Sequence, residues 1–79
     1  MTAHFAIPYR AATVEFQLNG EVRQLDVPVT VRALLSLLEL ERRRVAVAIN
    51  DAVVPKSRFG EVRVSEGDRV EVIQAVGGG

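Results

Sequence analysis

Alternating apolar and polar positions predict two β-strands joined by a tight turn near the start of the folded region. Apolar residues alternate with polar ones over residues 14–18, and a second apolar series follows over residues 22–27. Asn19 and Gly20 between them favour a type I′ hairpin, because both central residues of that turn need a positive φ. The apolar spacing slips by one residue between Val22 and Leu25, so we expect a bulge or an early end to pairing in the second strand.

A helical pattern follows the hairpin. Pro28 ends the second strand, and Thr30 can cap a helix that begins at the next residue. Leu37 and Leu40 are expected to widen its apolar stripe, and the arginines at 42–44 place positive charge at its C-terminal end. The four aliphatic residues at helical spacing are Val31, Leu34, Leu35 and Leu38. This helix is predicted to pack on the sheet.

Three more strands are predicted after the helix. Alternation over residues 45–49 predicts the third strand, and Val53 and Val54 predict a short fourth one. Phe59 is the expected apolar anchor of the irregular segment that follows, and the last strand is predicted over residues 69–76. The order strand, strand, helix, strand, short strand, strand predicts an α+β fold, with one main helix packed on a mixed sheet of four to five strands.

The chain is expected to form one small domain over residues 13–76, with a flexible segment at each end. A chain of 79 residues buries only about 60% of its unfolded surface, so a large internal active-site cavity is not expected. Residues 1–12 lack the basic start and the sustained apolar block of a signal peptide, and we interpret them as a mobile arm. Residues 77–79 are interpreted as a flexible glycine tail.

Composition excludes several classes of function. Ten Lys plus Arg balance ten Asp plus Glu, which removes the electrostatic case for nucleic acid or an anionic membrane as a partner. The absence of cysteine excludes disulfides, cysteine-ligated metals and a thiol nucleophile, and is compatible with a reducing cytoplasm. His4, the single histidine, lies in the predicted arm, so neither a catalytic constellation nor a metal site is predicted. We expect a soluble, cytoplasmic protein.

The glycine run at the end of the sequence is its most unusual feature. Gly77, Gly78 and Gly79 follow directly after the last predicted strand. Three extended residues span at most about 10 Å, enough to carry the main-chain carboxylate of Gly79 into a narrow channel on another protein.

Outward-facing apolar residues precede that tail. Alternation places Ile73 and Ala75 on the outer side of the last strand, and Ala46 and Ala48 on the outer side of the third. If these two strands are neighbours, the four side chains form an apolar surface that continues to Val76. Such a surface beside a flexible tail favours docking on a protein partner.

Five segments occur along the chain in an order that is typical of one family. They are LNGE, VRALLSLL, RVAVAINDAVVP, EGDRVEV and the terminal VGGG. In this order they resemble the ThiS family, the sulfur carriers of thiazole biosynthesis, which have a ubiquitin-like β-grasp fold. The resemblance covers residues 13–79, and residues 1–12 lie outside the family's compact pattern. LNGE or EGDRVEV alone would be a weak signal, so the specificity comes from the combination and from the final glycines.

The resemblance implies a protein that enzymes act on, rather than one that catalyses. A ThiF-like adenylating enzyme would use ATP to convert the Gly79 carboxylate into an acyl-adenylate, and a cysteine-derived persulfide would replace AMP with sulfur. The thiocarboxylate formed on Gly79 would supply the ring sulfur to a ThiG-like thiazole synthase. Gly77 and Gly78 would be the flexible approach to both partners, the outer apolar residues would dock on the adenylating enzyme, and no cofactor would stay bound.

Two other interpretations remain open at this point. One is a sulfur carrier of the same fold for a different product, similar to the small subunit of molybdopterin synthase or to a carrier for cysteine or secondary-metabolite synthesis. The other is a β-grasp interaction module that never carries sulfur. A carrier needs a free carboxylate on Gly79, whereas an interaction module should tolerate residues added after it.

Overall fold

The computed structural model describes residues 13–26 and 28–75, which form one mixed sheet and one α-helix. The elements are β1 (Val14–Leu18), β2 (Glu21–Leu25), α1 (Val31–Leu37), β3 (Val45–Ile49), β4 (Ala52–Val54), a 3₁₀ turn (Lys56–Arg58) and β5 (Arg69–Gln74). The strands lie in the order β2-β1-β5-β3-β4, with β1 and β5 parallel and the other neighbours antiparallel. The predicted fold, a mixed sheet packed on one main helix, is confirmed.

The hydrophobic core lies between α1 and the inner face of the sheet. Alternate residues of β1 are buried, and β5 shows the same alternation over its first four residues. Removing a Val, Leu or Phe side chain from water stabilises a fold by roughly 1.5–3 kcal/mol, so this single layer carries most of the stability of a small domain. The buried core side chains are Val14, Phe16, Leu18, Val31, Leu34, Leu35, Val47, Val54, Phe59, Val64, Val70 and Val72.

The helix begins where the sequence predicts, because its first N–H groups have acceptors. The Thr30 hydroxyl accepts a hydrogen bond from the Ala33 N–H at 3.1 Å, as expected of an N-cap residue. The Val31 N–H donates to the Val62 carbonyl at 2.9 Å. The start of α1 is therefore tied to the segment that precedes β5, and this contact fixes the helix relative to the sheet.

The helix ends earlier than its apolar stripe indicates. α1 stops at Leu37, and Glu39 two residues later has a left-handed φ of 63°. The Glu39 N–H donates to the Ser36 carbonyl at 3.0 Å, and the Leu40 N–H donates to the Leu35 carbonyl at 2.8 Å. These two hydrogen bonds define a Schellman motif, in which a left-handed residue reverses the chain and satisfies the last carbonyls of the helix.

Two expectations about the end of the helix are therefore wrong. Leu37 does not widen the buried stripe, because it lies on a different face of the helix from Val31 and Leu34 and is 61% exposed. Leu38 and Leu40 do pack against the core, each half-buried. The arginines at 42–44 lie outside the last helical turn, in the exposed connection to β3, because the helix has already ended.

The predicted hairpin is confirmed, but its predicted irregularity is absent. Asn19 and Gly20 have φ values of 51° and 87°, the positive values that a type I′ turn needs. Pairing between β1 and β2 is continuous along both strands, without a bulge. The uneven apolar spacing has a different cause: Val22 faces outward and is 63% exposed, whereas Leu25 packs against the core.

The connection from β4 to β5 is irregular, as predicted, and two side chains anchor it. Phe59 is 6% exposed, in agreement with the sequence analysis, while Val64 is equally buried and was not predicted. Gly67 has a φ of 82° in the turn that leads into β5. The last strand, predicted over residues 69–76, is observed as Arg69–Gln74, and residue 76 lies outside the described residues.

Candidate functional site

The outer face of the sheet carries the predicted docking residues, because α1 covers the inner face. β3 and β5 are antiparallel neighbours, which is the condition that the sequence analysis set for an apolar surface. Ala46 lies opposite Ile73, and Ala48 lies opposite Glu71. Their side chains point away from the core residues Val47 and Val72 that alternate with them. The shared outer face of Ala46, Ala48 and Ile73 is thus confirmed.

Exposure distinguishes this group from ordinary surface residues. Ile73 is 65% exposed although it lies on a strand with neighbours in the sheet, and Ala46 beside it is exposed as well. Ala48 is half-buried, and Ala75 is exposed just beyond the end of β5. The small alanine side chains leave the isoleucine projecting above the sheet, in a form that a complementary pocket could receive.

The sequence analysis missed one member of this surface. Val53 is 76% exposed and lies opposite Ala48 on the outer side of β4. The signal was present, because Val53 and Val54 are adjacent in a strand, and adjacent strand residues point to opposite faces. Since Val54 is buried, Val53 faces outward. We call the set of Ala46, Ala48, Val53, Ile73 and Ala75 the outer apolar surface.

Charged side chains border the outer apolar surface at the end away from the glycine tail. Glu71 is exposed between Arg69 and Ile73 along β5. The Arg69 guanidinium lies 3.1 Å from the Asp51 carboxylate, and both side chains are largely exposed. Exposed ion pairs contribute little to stability, so these groups form a polar border to the apolar surface rather than an important structural contact.

The backbone next to the tail is held on its β3 side. The Ala75 N–H donates to the Arg44 carbonyl at 2.9 Å, which continues the β3–β5 pairing one residue past the end of the strand. Ala75 is the last described residue. Val76 and the predicted tail residues Gly77, Gly78 and Gly79 lie outside the described residues, so the attachment site stays a prediction from the sequence.

Other chemistry is sparse in the part of the chain that the structure describes. Within it, no group of three or more His, Cys, Asp or Glu residues could hold a metal ion. Nor does it contain a helix that is both long enough and apolar enough to cross a membrane. Two surface depressions there have volumes of about 80 and 210 Å³, below the usual range for small-molecule substrate pockets. The outer apolar surface is therefore the strongest candidate site on the described residues.

Comparison with known proteins identifies the family. The model of the ThiS family matches residues 16–79, which include the helix, strands β2 to β5 and β1 from Phe16 onward, and extend to the final glycine. The chain belongs to the ThiS family. The resemblance drawn from the ordered sequence segments is therefore confirmed, and so is the β-grasp fold that it implied.

Individual relatives of the ThiS family fall into two groups by length. The chain is 36% identical over 64 residues to the sulfur carrier protein ThiS of Bacillus subtilis, covering 80% of this chain and 97% of that protein. It is 44% identical over 62 residues to a thiazole synthase of Paramagnetospirillum magneticum, covering 78% of this chain but only 19% of the synthase. The chain thus spans about a fifth of the length of that relative.

A solved structure shows the same fold. The crystal structure of the thiamine biosynthesis protein ThiS from Geobacter metallireducens superposes with a TM-score of 0.72 at 30% sequence identity. The match covers 84% of this chain and all of the other.

Proposed function

We propose that this protein is the sulfur carrier of thiazole formation in thiamin biosynthesis, with Gly79 as the point of covalent attachment. One observation carries the proposal: the ThiS family match runs through Gly79 itself, and relatives matched over almost their whole length are named sulfur carrier proteins. The three terminal glycines begin three residues after the end of β5, and the last outward-facing residue of that strand is the apolar Ile73. A docking surface and a slender reactive end are the two parts that a protein substrate needs.

The chemistry requires an activating partner, because a carboxylate ionised at neutral pH resists nucleophilic attack. We infer that a ThiF-like enzyme joins the Gly79 carboxylate to the AMP portion of ATP and releases pyrophosphate. A cysteine-derived persulfide then attacks the acyl carbon, and AMP leaves. Cleavage of the sulfur–sulfur bond by a thiol leaves a thiocarboxylate on Gly79. ATP acts here as a substrate of the partner, and the supply of ATP in the cytoplasm supports that location for the proposed reaction.

The absence of side chains in the glycine tail also suits this role. A side chain at position 77, 78 or 79 would widen a segment that has to enter two enzyme active sites. The outer apolar surface can dock on the adenylating enzyme through Ile73, while the tail reaches past it. In this proposal the protein presents the carboxylate, and its partner enzymes catalyse the reactions.

A thiazole synthase is the proposed acceptor of the sulfur. The relatives named thiazole synthase contain a stretch similar to this chain within a much longer protein. A carrier-like segment joined to a synthase would raise the local concentration of the sulfur donor at its site of use. This arrangement supports a ThiG-like synthase as the second partner here.

Intact-mass measurement tests the proposal. The protein is incubated with ATP, an adenylating enzyme of the ThiF type, a cysteine-derived persulfide and a thiol. We expect a mass increase equal to the difference between one sulfur and one oxygen atom, with the change mapping to Gly79. Deleting Gly79 moves the carboxylate by about 3.5 Å, and misplacement on that scale should reduce transfer roughly a hundredfold.

An extended variant supplies the control. One alanine added after Gly79 leaves the domain and its docking surface unchanged but moves the carboxylate in the opposite direction. Sulfur transfer to this variant at the rate of the natural chain would contradict the proposal. An unmodified mass with several competent adenylating enzymes would also contradict it, and both results would favour a β-grasp interaction module.

A further inference from the structure

Asn19 makes a contact that its role in the hairpin turn does not require. Its side-chain Oδ1 accepts a hydrogen bond from the Val72 N–H at 2.9 Å. Its Nδ2 group donates to the Val72 carbonyl at 3.2 Å. One carboxamide thus binds both main-chain polar groups of a residue in β5, 53 positions further along the chain.

The geometry shows that this carboxamide takes the place of a peptide group. β1 runs parallel to β5, and the Gln17 N–H donates to the Asp68 carbonyl while the Asn19 N–H donates to the Val70 carbonyl, both at 2.9 Å. A continued parallel ladder would next pair the Val72 N–H with the main-chain carbonyl of residue 19. At Asn19, however, the chain turns into the hairpin with a φ of 51°. The side-chain amide supplies the missing acceptor and the missing donor.

The hydrogen bonds from Asn19 hold the half of β5 that leads to the tail. Paired positions between β1 and β5 extend only to Leu18 and Val70, so the following residues of β5 have β3 as their one neighbouring strand. Asn19 holds Val72 from the otherwise open side. Val72 is therefore bonded to Asn19 on one side, while its neighbour Ile73 pairs with Ala46 on the other.

We propose that Asn19 is a positioning residue for the carrier tail. By clamping Val72 it fixes the direction in which β5 leaves the sheet, and hence where the carboxylate of Gly79 arrives in a partner active site. This inference rests on the proposed function for its effect on sulfur transfer. The clamp itself is a property of the folded chain and can be measured without any partner.

Asn50 provides a matched control at the opposite end of the same strand. It also has a positive φ, 52°, and its Oδ1 accepts from the Arg69 N–H at 2.9 Å. Its Nδ2 group donates to the Asp68 carboxylate at 3.0 Å. Asn19 and Asn50 each accept a hydrogen bond from a main-chain N–H of β5, but only Asn19 binds the end that continues into the glycines.

The experiment compares Asn19→Gly with Asn50→Gly, since glycine accepts the positive φ at both positions. Hydrogen exchange is measured for individual amides of the full chain. We expect the Val72 amide to exchange about tenfold faster in Asn19→Gly, with little change at Arg69, and the reverse in Asn50→Gly. Asn19→Asp keeps the acceptor for the Val72 N–H and should restore most of its protection.

Adenylation kinetics then separate positioning from stability. Asn19→Gly should lower kcat roughly tenfold, with KM for the carrier within about twofold of the natural chain, because the outer apolar surface is intact. Asn50→Gly should leave both constants nearly unchanged.

An equal loss of kcat in the two variants would overturn the proposal, because it would show a general effect of loosening the sheet. Unchanged exchange at Val72 in Asn19→Gly would also overturn it. If the natural chain is not adenylated at all, the proposed function fails, and the exchange rates still decide whether the clamp exists.

Discussion

Ile73 shows how a single residue can indicate function when its burial and its environment disagree. An isoleucine on a paired strand normally packs in a core, yet this one is 65% exposed. Its exposure cannot be attributed to a frayed strand end, because Ile73 pairs with Ala46 of β3 and its neighbour Val72 is hydrogen-bonded to the Asn19 side chain. The surrounding alanines add apolar area without covering it. We therefore place Ile73 at the centre of the outer apolar surface, where a partner would bury it.

Replacing Ile73 with aspartate tests this assignment. A carboxylate in place of an apolar anchor must lose water on docking, so we expect KM for adenylation of the carrier to rise about tenfold or more. The melting temperature should stay within about 2 °C of the natural value, because the side chain faces solvent. Steady-state kinetics and thermal unfolding provide the two measurements.

Val22→Asp is the matched control for that substitution. Val22 is also outward-facing and 63% exposed, but it lies on β2, at the other edge of the sheet. Its variant should keep a normal KM. If Val22→Asp and Ile73→Asp raise KM equally, the effect is one of added negative charge, and the outer apolar surface is not the docking site.

The outcome at these positions shows what period-two alternation can and cannot predict. Ala46, Ala48 and Ile73 were assigned to the outer face correctly, because each is next to a buried valine, Val47 or Val72, in its own strand. Val53 was missed because the strand is only three residues long and both of its valines look like core residues. Val22 led to the wrong prediction of a bulge for a related reason. It is an exposed valine on an edge strand, so it interrupts the alternation of buried apolar residues although the strand pairing is regular.

At the scale of elements, the start of α1 was predictable and its end was not. The start depends on Thr30 and on apolar spacing, both local features of the sequence. The end depends on Glu39 in a left-handed conformation, where glycine is the usual residue and the standard sequence signal. Without that glycine, the sequence carries no stop signal and the stripe of leucines continues through residue 40, whereas the helix ends at Leu37.

Glu39→Gly should therefore stabilise the protein. A residue with a Cβ atom pays roughly 1–2 kcal/mol in the left-handed region, which exceeds the backbone entropy that glycine loses on folding. We expect a gain of about 0.5–1 kcal/mol, or a melting temperature about 4 °C higher. Thermal unfolding followed by circular dichroism measures the change.

Glu41→Gly two residues later is the control, and the expected sign is opposite. Glu41 is exposed and does not have a positive φ, so glycine there only adds freedom to the unfolded chain and should lower the melting temperature. A destabilised Glu39→Gly would show that the Glu39 side chain makes a contribution larger than its backbone strain.

At the scale of the whole molecule, the buried core of the described residues begins with the first strand. Every core side chain in the described part lies between Val14 and Val72. The ThiS crystal structure from Geobacter metallireducens is matched over its full length by 84% of this chain. The match to the ThiS family begins at residue 16, so residues 1–12 lie outside it.

Removing residues 1–12 should leave the domain intact. A variant that begins with methionine followed by Thr13 keeps every core side chain identified above, so its melting temperature should lie within about 2 °C of the natural value. Sulfur transfer to Gly79 should also be unchanged. A fall of more than about 5 °C would contradict this and would show that Phe5, Ile7 or Tyr9 packs on the domain.

The depression of about 210 Å³ between β2 and α1 would then be the first place to examine, because it is lined by apolar side chains including Phe16 and Leu34. Single alanine substitutions at the three arm positions would identify the residue responsible, since only the one that packs should reproduce the loss.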